Sequence, residues 1–111
     1  MNLADQQCEV CQKGAPKLNA EEIAGYLESL DNWALITEDG IEQVRRIFEF
    51  KNFVDALDFA NKVGALAEQQ NHHPAILVEW GKVTVRWWTH KIEGLHQSDM
   101  IMAAKTDLIS R

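Results

Sequence analysis

Two pairs of short strand-forming segments, each joined by a turn too short to carry a crossover, bracket one long helix-forming stretch, and this constrains the fold more than any other feature of the sequence. In the first pair, Trp33 to Ile36 and Ile41 to Phe50 mix β-branched, aromatic and charged residues around the turn signal Glu38-Asp39-Gly40. In the second, Ile76 to Glu79 and Lys82 to His90 flank Trp80-Gly81. Along its last segment Val83, Val85 and Trp87 share one face and Thr84, Arg86, Trp88 and His90 the other, which puts His90 near the far end of a strand. Each pair reads as a hairpin.

Helix signals fill the remaining chain. Asn19 with Glu22 forms a capping pair ahead of Ile23, Tyr26, Leu27 and Leu30, predicting a helix over about 20–30. Asn52 caps a second, whose apolar positions Phe53, Ala56, Leu57, Ala60, Val63, Leu66 and Ala67 hold the helical period up to Asn71-His72-His73-Pro74. Proline cannot continue the ladder and restricts the residue before it, so the histidine pair falls on a helix-to-strand corner. A third helix is expected from Ser98 as N-cap, with Asp99 near the positive end of its dipole and Ile101, Met102, Ala104, Leu108 and Ile109 as the buried stripe. The order α-β-β-α-β-β-α predicts an α+β fold: a four-stranded antiparallel sheet with three helices on one face. The domain spans residues 18–111, with 1–17 as an N-terminal extension. An open sheet leaves one face and its edges uncovered, so a homo-oligomer, dimer or tetramer, is expected.

Composition narrows the function. With 46% hydrophobic and 25% charged residues the chain is an ordinary globular protein, and 111 residues allow one core. A net charge of −6 opposes a phosphate-binding surface, which argues against nucleic acid as a partner. No apolar run approaches the roughly 20 residues that cross a bilayer, so no membrane association and a cytoplasmic address are expected. Cys8 and Cys11 have the C-x-x-C spacing of a redox pair or of half a zinc site. They lie in a polar stretch ahead of the first helix with no nearby histidine, and no part in the main function is expected of them.

All four histidines follow residue 71, and three of them, His72, His73 and His90, fall at the corner and the strand end. Imidazole exchanges protons near neutral pH, so histidines that converge suit acid-base chemistry. Taken singly, each is more often a surface or satisfied polar residue. A metal site is disfavoured because consecutive histidines diverge and the i,i+4 helical spacing is missing. His96 has no evident partner and is expected to be solvated. Glu68, four residues before His72, and Asp99, at the start of the third helix, are carboxylates able to orient an imidazole, or else helix-surface charges. Trp80, Trp87 and Trp88 offer either a stacking wall or packing.

Glu68, His72-His73-Pro74, Trp80, His90 and Asp99 stand in the order E-x3-H-H-P-x5-W-x9-H-x8-D, and in this the chain resembles the pterin-4a-carbinolamine dehydratases. The resemblance implies an enzyme that dehydrates 4a-hydroxytetrahydropterin to quinonoid dihydropterin, recycling the cofactor of aromatic amino acid hydroxylases, with neither metal nor organic cofactor. It implies His72, His73 and His90 as catalytic residues, Asn71, Trp88, Thr89 and Lys91 lining the pterin pocket, and Glu68 and Asp99 in support. Animal members carry Asp at the position of Asn71 and Ser at that of Trp88. Animal relatives also serve as dimerisation partners of a homeodomain activator, so a non-catalytic module of the same fold is the alternative reading. A metal-dependent hydrolase built on the same histidines is a second.

Overall fold

Asn19 Oδ1 accepts the backbone N–H of Glu22 at 2.8 Å, and Glu22 Oε1 accepts that of Asn19 at 2.9 Å. This reciprocal cap starts α1, Ala20–Ser29. The computed structural model describes residues 17–110, so Cys8, Cys11 and most of the expected N-terminal extension lie outside the described residues. The chain continues through β1 (Ala34–Glu38), β2 (Ile41–Glu49), α2 (Phe53–Gln70), β3 (Ala75–Glu79), β4 (Lys82–Trp87), a 3-10 turn (His90–Ile92) and α3 (Gln97–Ile109). Among the described residues no helix is long and apolar enough to cross a membrane.

The sheet order is β1-β2-β4-β3 with every neighbouring pair antiparallel, as the two hairpin signals predict. Asp39 and Gly40 both have positive φ, 52° and 79°, which matches the right-handed twist of the first hairpin and explains an Asp-Gly pair there. Gly81 serves the second turn differently: a Cβ would stand 3.1 Å from the carbonyl oxygen of Phe50, whose N–H donates to the Gly81 carbonyl. One sheet face carries Val44, Phe48, Val83, Val85 and Trp87 into the core, where Ile23 of α1, Phe59 and Val63 of α2 and Met100 and Met102 of α3 meet them. Full burial of each large apolar side chain stabilises the fold by roughly 1.5–3 kcal/mol.

Four details differ from expectation. Strand β4 ends at Trp87, so His90 begins a 3-10 turn instead of closing the strand. Backbone pairing explains the early stop: Thr89, the next residue placed to bond toward β2, exchanges its hydrogen bonds with Gly94 instead. Helix α3 starts at Gln97 with His96 as its N-cap, while Ser98 is buried inside the first turn. The buried positions of α2 are Ala56, Phe59, Ala60, Val63 and Ala67, whereas Phe53 and Leu57 are 45% and 43% exposed. In α3, Met100 and Ala103 are buried and Leu108 is exposed, because the helix enters the core at its N-terminal half.

Candidate active site

The last turn of α2 determines where the histidine pair goes. Asn71 adopts the left-handed conformation, φ 52° and ψ 43°, which asparagine tolerates better than most side chains. Its N–H donates to the Glu68 carbonyl and the N–H of His72 to the Ala67 carbonyl, so the helix ends in a Schellman arrangement. This reversal breaks the helical period, and the two imidazoles separate.

His72 turns inward. Its ring is 8% exposed and lies nearly parallel to the fully buried Trp87 indole, with centroids 5.7 Å apart. Nε2 is 2.7 Å from Asp99 Oδ1. The other carboxylate oxygen, Oδ2, accepts the Thr89 hydroxyl at 2.8 Å and the backbone N–H of His96 at 2.9 Å. A carboxylate donates nothing, so Nε2 carries a proton, and whenever the ring is neutral Nδ1 is its bare nitrogen.

His73 turns outward, with Nε2 2.5 Å from Glu68 Oε2. The spacing had suggested that Glu68 shares a side with His72; the left-handed residue between them gives it to His73 instead. Both members of this pair are more than half exposed. His90 reaches back from the 3-10 turn and donates Nε2–H to the His73 carbonyl at 3.1 Å. The Trp88 ring lies 4.4 Å from the His90 ring, and the Arg86 guanidinium sits 5.7 Å over Trp88.

The structure therefore brings His72, His73 and His90 to one corner, each tied through Nε2. Asn71 and Lys91 flank them at exposed positions, whereas Thr89 is buried and its hydroxyl is directed at Asp99. His96, expected to be solvated, is half-buried and caps α3: its Nδ1 accepts the N–H of Ser98. The His96-to-Asp99 spacing repeats that of a capping box, but histidine is outside the usual N-cap set, so the signal was weak. Trp80, 70% exposed, stands at the other end of β4 beside a surface cavity of about 580 Å³ that no imidazole lines. Among the described residues no group of three or more His, Cys, Asp or Glu side chains is arranged to hold a metal ion.

A family model described as Pterin 4 alpha carbinolamine dehydratase matches residues 16–109. The chain belongs to the pterin-4a-carbinolamine dehydratase family. Two curated relatives, each provisionally named pterin-4-alpha-carbinolamine dehydratase, agree over nearly the whole length. The protein of Syntrophotalea carbinolica is 55% identical over 107 residues, covering 96% of each chain. That of Marinobacter nauticus is 57% identical over 106 residues, again 96% of each. The solved structure of a transcriptional coactivator/pterin dehydratase from Brucella melitensis superposes with a TM-score of 0.77 at 32% identity, covering 86% of this chain and all of that one. Within this family frame, the signature residues meet at one corner in two hydrogen-bonded groups, His72 with Asp99 and His73 with Glu68 and His90, while Trp80 stands apart from them.

Proposed function

We propose that the protein dehydrates 4a-hydroxytetrahydropterin to quinonoid dihydropterin and water, by proton exchange among His72, His73 and His90. Family membership supports the substrate class, and the observation that carries the chemistry is the gathering of three imidazoles each held at Nε2. Loss of the 4a-hydroxyl requires an acid for the departing oxygen and a base for the N5 proton, and the C4a=N5 double bond forms as the C4a–O bond breaks. With Nε2 occupied, Nδ1 is the exchanging atom. In this reading His73 and His90 share the two transfers and His72, oriented by Asp99, mainly binds the pterin. Asn71, Trp88 and Lys91 line the pocket with Thr89 beneath them, Glu68 and Asp99 support the imidazoles, and neither metal nor organic cofactor takes part. The physiological role is recycling of the pterin cofactor of an aromatic amino acid hydroxylase in the cytoplasm.

A homodimer or homotetramer completes the proposal. Ile47 and Leu77 flank Thr84 in register on the open sheet face and are 46% and 57% exposed. Such apolar surface favours a covering subunit. The name of the Brucella protein keeps a second reading, a coactivator module without catalysis. Purified protein mixed with 4a-hydroxytetrahydropterin separates the two: accelerated loss of the carbinolamine ultraviolet absorbance supports the enzyme. A rate equal to the buffer rate, with a folded protein, supports the module.

A further inference from the structure

We propose that Thr89 is a positioning residue that selects the tautomer of His72 through Asp99. This deepens the catalytic reading and rests on it for its kinetic consequence. Asp99 is fully buried, and the demands on its two oxygens are unequal. Oδ2 is fastened by two donors on different segments, the Thr89 hydroxyl and the His96 backbone N–H, while Oδ1 is left to face His72 Nε2. With Oδ2 fastened, the carboxylate cannot rotate away, and the imidazole must present a proton at Nε2 and a lone pair at Nδ1.

The chain geometry makes Thr89 suited to this task. Its N–H donates to the Gly94 carbonyl at 2.8 Å, and its own carbonyl accepts the N–H of Ile92 at 3.3 Å and of Gly94 at 3.4 Å. Its backbone is thus fixed to the 92–94 turn, and its hydroxyl joins the end of β4 to the first turn of α3. It lies 2% exposed, in contact with the carboxylate and away from solvent. The two donors at Asp99 Oδ2 predict that an amide at position 99 acts unlike the acid. Two donors at the Oδ2 position require a carbonyl oxygen there, so Asp99→Asn turns its NH2 toward His72. The ring then has to accept at Nε2 and carry its proton at Nδ1.

The test uses histidine-labelled full-length protein, with ring nitrogen shifts read by NMR at a pH where His72 is neutral, beside steady-state dehydration kinetics. The parent and Thr89→Ser are expected to show a single Nε2–H form at His72. Thr89→Val is expected to show mixed tautomers and, because His72 mainly binds the pterin, a KM raised by about tenfold with a smaller fall in kcat, the usual scale for a residue acting through another. Asp99→Asn is expected to invert the tautomer, and decides alone if the valine variant does not fold. An unchanged Nε2–H form in Thr89→Val or in Asp99→Asn overturns the proposal, as does failure of serine to retain the parent behaviour. If the parent itself does not dehydrate the pterin while the ring responses follow expectation, the catalytic reading fails and the positioning role stands.

Discussion

His90 donates its Nε2–H to the backbone carbonyl of His73 across 3.1 Å, joining the 3-10 turn after β4 to the segment that leads into β3. The bond ties the His90 ring to the His73 backbone and, in the proposed mechanism, leaves Nδ1 as the working atom of His90. His90→Asn retains an N–H able to reach that carbonyl but has no nitrogen base. It is expected to lower kcat by at least about a hundredfold while the thermal midpoint moves little. His90→Ala loses both the rate and part of the stability. Circular dichroism melts beside the dehydration assay read the two effects separately.

Glu68 and His73 form a short contact, yet their side chains are 78% and 53% exposed. Exposed ion pairs contribute little, so Glu68→Gln is expected to change unfolding free energy by less than about 0.5 kcal/mol in urea titration. Its effect belongs to the rate, because the amide no longer offers an anionic partner to His73 Nε2. A kcat fall with intact stability is the expected result, and a large stability loss with unchanged kcat would contradict it.

Asn71 reverses the chain at positive φ. Glycine meets no steric cost there, whereas a β-branched side chain does. Asn71→Gly is expected to fold with near-parental stability, and Asn71→Val to lose about 1–2 kcal/mol. Because the reversal aims the two imidazoles, the valine variant also loses activity beyond what its unfolded fraction explains. Chemical denaturation and kcat measured at low temperature check this.

Asp107 on α3 accepts both Trp33 Nε1–H at 2.9 Å and an Arg46 N–H at 2.6 Å, tying the loop before β1 and the middle of β2 to the last helix. The arginine and aspartate side chains are 22% and 25% exposed. Asp107→Ala strands an indole N–H and a guanidinium that are partly shielded from water, and is expected to cost about 2 kcal/mol. In a double-mutant cycle with Arg46→Ala the losses are expected to be less than additive, since the second change removes the stranded charge. Activity per folded molecule is expected to hold, because these residues lie outside the histidine set.

What was legible in the linear chain was whatever depends on near neighbours. Asn19 with Glu22 announced its helix start, Asp39-Gly40 its turn, and alternation along Val83, Val85 and Trp87 the buried face of β4. The ordered set from Glu68 to Asp99 carried the family. Local pattern could not reveal events that depend on three-dimensional closure. The stop of β4 at Trp87 follows from the pairing of Thr89 with Gly94, and the gift of Glu68 to His73 follows from one left-handed residue. The role of Thr89 is also tertiary: its hydroxyl meets an oxygen of Asp99 ten positions away, which in turn faces His72. Residue types and spacing determined the elements and the family, because hydrophobic period, capping and turn chemistry act over a few residues. The partner of each imidazole, and hence the nitrogen left free, was decided only when packing brought distant carboxylates and carbonyls within hydrogen-bond reach.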